Sequence, residues 1–168
     1  MSSPRVVLVG IPGSGKTTVA GLLAAAWAMP LVDTDELVAA RTGETASEAF
    51  ARPEGERRFR ETQDTVCVEA LKGPGVVALG SGAVESEGVR AALAGHRVVW
   101  LQAGIPVVTR RLGMTRLGIP ALAAIRDAMD GQLAERAGWY EAVATEVIHT
   151  DRLTPDQVAA AIEAGAQL

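Results

Sequence analysis

The chain has a single cysteine, Cys67, among its 168 residues. One thiol excludes a disulfide framework within the chain. Its place in a helical stretch makes it a small core residue, and a reducing cytoplasm is the natural compartment. Long hydrophobic runs are missing as well. No apolar stretch approaches the ~18 residues of a membrane span, and Met1 to Arg5 contains no apolar signal-peptide core, so a cytoplasmic protein without a membrane partner is expected. Histidine is scarce: His96 and His149 are the only two, and neither has a Cys or His partner at metal-ligand spacing, so both are read as structural. Charge of one sign is not concentrated. With 16 basic and 20 acidic residues, a formal net charge of −4 and no long basic run, the composition argues against a nucleic-acid partner and for a small one. There is no internal repeat and no low-complexity segment. Only the Gly- and Arg-rich stretch from Arg110 to Gly118 stands out as a candidate mobile segment.

Apolar material is plentiful at 48 % of residues, enough for one compact domain spanning 1–168, expected to be monomeric. Five short β-type runs, Val6 to Val9, Leu31 to Asp33, Val76 to Leu79, Arg97 to Leu101 and Glu146 to His149, alternate with helical patterns. The helices are predicted at Lys16 to Trp27, Asp35 to Thr42, Glu54 to Leu71, Glu85 to Ala94, Ile105 to Leu112, Pro120 to Ala137 and Pro155 to Ala166. Such alternation predicts an α/β fold with a parallel sheet covered on both faces. Ser47 and Thr154 are candidate N-caps, Pro155 suits a first helical position, and Gly43, Gly73 and Gly95 fall where helices should end.

In an open parallel sheet, ligands sit beyond the carboxyl ends of the strands. Three such exits carry chemistry. The first is Gly10-Ile-Pro-Gly-Ser-Gly-Lys-Thr-Thr18, which follows the apolar run Val6–Val9 and precedes a helix. It matches GxxxxGK[ST] in the strand–turn–helix context of a P-loop, where backbone N–H groups and a helix N-terminus face phosphate oxygens. Gly13, Ser14, Gly15, Lys16, Thr17 and Thr18 are therefore predicted to bind nucleotide, with Lys16 on the β- and γ-phosphates and Thr17 offering its hydroxyl to Mg²⁺. The second exit is Asp33-Thr34-Asp35: one carboxylate can face the metal and the other an acceptor hydroxyl, while the plainer reading has Asp33 or Thr34 capping the next helix. The third is Gly80-Ser81-Gly82, a turn that would let backbone approach a ligand closely.

Arg60 shares its helix with Arg57 and Arg58, a pattern that by default is a solvated basic face. Trp27 and Trp100 lie in apolar patterns and read as core. Trp139, beside Tyr140 and after Arg136, reads either as core or as a wall of the acceptor pocket.

In this order and spacing the motifs resemble those of the shikimate kinase family over nearly the whole chain. The resemblance rests on Gly10 to Thr18, Asp33-Thr34-Asp35 with Arg41-Thr42-Gly43, Gly55-Glu56 with Phe59-Arg60, Gly80 to Val84, and Glu135-Arg136-Ala137 with Tyr140. It implies a three-layer α/β/α P-loop kinase fold with a five-stranded parallel sheet and a mobile lid at about residues 112–121. It also implies ATP and Mg²⁺ as cofactors, and phosphoryl transfer to the 3-hydroxyl of shikimate. By the same resemblance, Asp35 contacts shikimate hydroxyls and assists deprotonation, Arg60 and Arg136 grip the carboxylate, and Gly80, Ser81 and Gly82 border the substrate. Asp33 and Thr17 hold Mg²⁺, and Asp151 to Pro155, with Arg152, borders adenine.

Four departures stand out. Ser81 replaces the middle of three consecutive glycines. Ala78 stands where a hydroxyl is frequent. Gln63 takes the place of a Glu that commonly pairs with the first arginine. The lid reads Arg116-Leu117-Gly118-Ile119, with Pro120 displaced. Arg116 is the first choice for a lid arginine that stabilises transition-state charge, with Arg110 and Arg111 also near enough. Two alternatives follow from the departures: a related kinase for another small hydroxy or sugar acid, or a non-catalytic nucleotide-binding paralogue.

Overall fold

The computed structural model describes residues 4–165. Its strands are β1 (Val6–Val9), β2 (Leu31–Asp33), β3 (Val76–Ala78), β4 (Val98–Gln102) and β5 (Glu146–His149). All pairings are parallel, in the order β2-β3-β1-β4-β5. The helices are α1 (Lys16–Ala26), α2 (Thr34–Thr42), α3 (Ala46–Phe50), α4 (Gly55–Ala70), α5 (Glu87–Leu93), α6 (Ile105–Arg111), α7 (Ile119–Val143) and α8 (Pro155–Gly165). Two 3₁₀ turns, Ala83–Glu85 and Met114–Arg116, precede α5 and α7.

Every residue of β1 is buried, as its unbroken apolar run requires of a central strand. The pleat divides that run between two cores. Val6 and Leu8 pack with Val76, Val99 and Leu101 beneath α1 and α8, while Val7 and Val9 pack with Val77, Val98 and Trp100 beneath α4, α5 and α7. Helices on both faces give the expected three layers. Among the described residues no helix is long and apolar enough to cross a membrane.

Several local expectations hold. Gly43 closes α2 in the left-handed region at φ 78, and Thr154 caps α8 by exchanging bonds with Gln157. Others need correction. Ser47 is not an N-cap: α3 starts two residues earlier, because Thr45 and Glu48 form a capping box. That short helix itself was not foreseen. The helix predicted from Glu85 begins at Glu87, capped by Ser86, and the residues before it form the 3₁₀ turn. α7 runs past Ala137 to Val143, because Gly138 is accommodated inside it with open space around it. Ala166, the expected end of the last helix, lies outside the described residues.

Trp100 is core, its ring tilted against that of Tyr140 at 5.6 Å between centres. Trp27 is half-buried, with the Arg5 guanidinium 4.2 Å from its ring centre. Burial pushes the Cys67 thiol up to about 12, so it stays an inert core group.

Candidate active site

β2, β3 and β1 lie side by side, so their three exits open on one cavity of about 500 Å³. Cross-links tie the exits together. The Gly80 N–H donates to Thr34 Oγ1 at 2.8 Å, Thr17 Oγ1 donates to Asp33 Oδ2 at 2.6 Å, and Lys16 Nζ lies 3.5 Å from Ser81 Oγ.

The first loop takes its shape from glycines. Gly13 sits at φ 78, and a Cβ there would come within 2.7 Å of a Val108 methyl. Gly15, at φ 99, precedes α1 without any side-chain cap, so the first N–H groups of the helix are left for a ligand. Lys16 Nζ folds back onto the carbonyls of Gly10 and Ile11 at 2.8 and 3.0 Å. Burial lowers its pKa to about 8, against the opposing pull of Asp35 and Asp33.

Asp33 uses its two oxygens differently. Oδ1 caps α2 by accepting from the N–H groups of Asp35 and Glu36 at 3.0 and 3.3 Å, while Oδ2 faces Thr17. Asp35 stands over Gly80. The enclosing protein and then the charge of Asp33 push its carboxyl above the usual range, offset in part by Lys16, Arg60 and Gln63.

Gly80 and Gly82 leave room for neighbouring side chains rather than supply backbone freedom, since neither has positive φ. A Cβ on Gly80 would strike Asp35 Oδ1, and one on Gly82 would strike the Arg60 guanidinium. The middle position has no such constraint. Outside glycine only Ala28 and Glu54 have positive φ among the described residues, so Ser81 sits in the turn without strain. Its carbonyl accepts from the Tyr140 hydroxyl at 2.7 Å, and burial raises the pKa of that phenol, keeping it a donor.

α4 separates the three arginines that the sequence could not distinguish. Arg57 points to solvent, 62 % exposed, and pairs with Glu54 and Glu61; Arg58 is also exposed. Arg60, 24 % exposed, turns into the cavity, lies 5.1 Å over the Phe50 ring and donates to Gln63 Oε1 at 3.1 Å. Arg136 reaches the same end from α7, only 7 % exposed. Between the two arginines stands Glu85, with Oε1 2.7 Å from Arg136 Nε and Oε2 3.7 Å from Arg60.

Sequence reasoning missed Glu85, Phe50 and Gln132, although Phe50 and Gln132 line the cavity. The Thr45-x-x-Glu48 capping box was the available signal for the helix that carries Phe50. Trp139 lies under the Arg90 guanidinium at 5.1 Å and packs against the core. It does not line the cavity.

A second cavity of about 410 Å³ lies behind the P-loop, lined by Gly13, Thr18, Arg111, Leu153 and Val158. Arg111 is fixed there through Thr150, whose carbonyl it meets at 2.8 Å, and the Ser14 carbonyl at 3.4 Å. Ser14 Oγ is buried beside it with no hydrogen-bond partner. Arg152 is exposed on the adjoining loop, where Asp151 accepts from the Gly104 N–H at 2.8 Å. Arg110 and Arg116 are exposed, and neither lines either cavity.

The donor sets fit the expected ligands. Unpaired helix N–H groups, glycine-shaped backbone and an ammonium suit polyphosphate. A carboxylate and a hydroxyl in contact suit Mg²⁺, which takes one or two protein oxygens alongside phosphate and water.

Fold and site together define a P-loop phosphotransferase, with two arginines lining the same cavity as the P-loop residues. Comparison with known proteins narrows this. The shikimate kinase family model matches residues 12–165. The shikimate kinase of Thermobifida fusca is 41 % identical over 159 residues, covering 94 % of this chain and 92 % of that one. That of Salinispora arenicola is 43 % identical over 164 residues, covering 96 % and 97 %. Among solved structures, shikimate kinase from Acinetobacter baumannii in complex with shikimate superposes with a TM-score of 0.84 at 27 % identity, covering 97 % of this chain and 92 % of that chain. The chain belongs to the shikimate kinase family.

Proposed function

We propose that the chain acts as one kinase domain, transferring the γ-phosphoryl group of ATP to the 3-hydroxyl of shikimate. The observation that carries the reading is a single cavity in which Lys16, Thr17 and Asp33 meet a two-arginine pocket across Asp35. Relatives at 41 to 43 % identity named for one acceptor favour shikimate over a gluconate-like acid and over a non-catalytic paralogue. Bound MgATP would supply the phosphoryl group, with the metal offsetting charge on the phosphates.

The chain's own residues do the rest. The P-loop N–H groups and Lys16 would hold the phosphates, Thr17 and Asp33 would hold Mg²⁺, and the second cavity would take the base, with Arg111 in its lining and Arg152 on the adjoining loop. Arg60 and Arg136 orient the acceptor carboxylate, so that one hydroxyl faces Asp35, which takes its proton. Arg116 would reach the phosphates when residues 112–121 fold over the site. We take the working protein to be a cytoplasmic monomer without a nucleic-acid partner.

A coupled ADP-release assay across shikimate, quinate and gluconate tests the reading: shikimate should be turned over far faster than the other two. Absence of shikimate turnover by protein that binds ATP would contradict it.

The arginine pair gives a sharper expectation. Arg60→Ala or Arg136→Ala should each cost ~2 to 4 kcal/mol in kcat/KM for shikimate with ATP affinity nearly unchanged. The double variant should cost less than the sum, since both side chains serve one carboxylate. Strict additivity in steady-state kinetics would argue against a shared clamp. Gly82→Ala should act at the same place by displacing Arg60. Its KM for shikimate should rise by ~10-fold or more while its KM for ATP holds, because a methyl group there has no free volume. An unaltered shikimate KM would mean that Arg60 is not needed where the structure puts it.

A further inference from the structure

Among the described residues Glu85 is the one carboxylate that touches both pocket arginines, and no sequence motif announced it. It belongs to the 3₁₀ turn that follows Gly80-Ser81-Gly82, so its backbone moves with the acceptor-side turn. Its N–H donates to the Gly82 carbonyl at 3.1 Å, and its own carbonyl accepts from Arg90 at 2.8 Å. Arg90 in turn lies against Trp139 and also binds the Val84 carbonyl. This anchoring keeps the Glu85 carboxylate at the clamp.

The two ion pairs differ. At 2.7 Å, Arg136 is held by its Nε edge on a nearly buried side chain, so a ligand carboxylate meets that guanidinium at its terminal nitrogens. At 3.7 Å, Arg60 is held loosely, and its other acidic neighbour, Glu56 at 3.6 Å, is 64 % exposed and screened by water. The next residue in contact with Arg60, Gln63, is an uncharged amide. Glu56 and Asp35 face Arg60 alone, so Glu85 is the charge that both guanidiniums share.

Resting on the acceptor pocket proposed above, we propose that Glu85 is a specificity-determining residue. Its fixed negative charge matches the clamp to a monocarboxylate acceptor and turns away ring acids carrying a second carboxylate next to the first. A lone carboxylate shares the two arginines with Glu85. A vicinal dicarboxylate brings a second negative charge against Glu85 in a partly desolvated site, where like charges a few ångströms apart repel strongly.

The test compares two competitive inhibitors of shikimate turnover, cyclohex-1-enecarboxylate and cyclohex-1-ene-1,2-dicarboxylate, on the native chain, Glu85→Gln, Glu85→Thr and Glu85→Asp. The native chain should favour the monocarboxylate. Both charge-removing variants should shift the ratio of the two inhibition constants toward the dicarboxylate by ~10-fold or more, and Glu85→Asp should keep the native ratio. Poorer packing would weaken both inhibitors alike and cancels in the ratio. If both compete and the ratio stays native in Glu85→Gln and Glu85→Thr, the role of Glu85 is overturned while the acceptor pocket stands. If neither inhibitor competes with shikimate, the pocket assignment falls and this inference with it.

Discussion

Replacing Asp35 by Asn is expected to lower kcat by ~10² to 10⁴ with ATP affinity nearly unchanged, the range for losing a general base that makes no contact with the nucleotide. Asn keeps the shape and the hydrogen-bonding reach but cannot accept the proton. The native pH profile should carry the same information. The enclosing protein and Asp33 raise the pKa of Asp35, and in the proposed role the reactive form is the deprotonated one. Activity is therefore full above that pKa and falls as pH drops through it, with the acid limb above the ordinary carboxylate range near ~3.9. Steady-state rates at saturating ATP across the acid range would show the limb in the native chain and its absence in Asp35→Asn. A native kcat in the Asn variant would remove Asp35 from the chemistry.

Lys16→Ala is expected to lower kcat by ~10³ and to weaken nucleotide binding, since in the proposed role the ammonium faces charge that grows in the transition state. Its electrostatics give a second readout. With a pKa of about 8 in the ligand-free protein, Lys16 is protonated below that value and neutral above it. A bound polyphosphate favours the ammonium form, so nucleotide binding just above pH 8 should take up a proton. Calorimetric titration with ADP in buffers of different ionisation heat measures this uptake directly. Lys16→Arg, always charged, should show none. Proton-neutral binding by the native chain would contradict the assigned environment of Lys16.

How far the site was legible depended on whether its parts are local in sequence. The P-loop and Asp33-Thr34-Asp35 were readable because each is a contiguous motif at the end of a recognisable strand. The sheet was readable because β1 is apolar without alternation, as only a strand covered on both faces can be. Arg60 was ambiguous for a physical reason: three arginines within four residues span more than a third of a helical turn's circumference, and only the packing of Phe59 and Phe50 shows which one turns inward. Arg136 and Tyr140, one turn apart and both buried, carry that face of α7 past Gly138, where a propensity reading ends the helix early. Glu85 could not be found from sequence. Its partner Arg136 is 51 positions away, and nothing around Glu85 distinguishes a pocket carboxylate from a surface one. Ser81, read as a departure in the glycine turn, proved unstrained, because the turn needs glycine only at the positions facing Asp35 and Arg60.

The central claim is that Arg60 and Arg136 fix the acceptor by its carboxylate and present one hydroxyl to Asp35. The most direct measurement is the structure of the product. Shikimate incubated with the chain, ATP and Mg²⁺ should give a monophosphate whose ³¹P resonance couples to the proton on carbon 3 alone. A phosphate on the 4- or 5-hydroxyl, or shikimate recovered unchanged from protein that binds ATP, would contradict the claim.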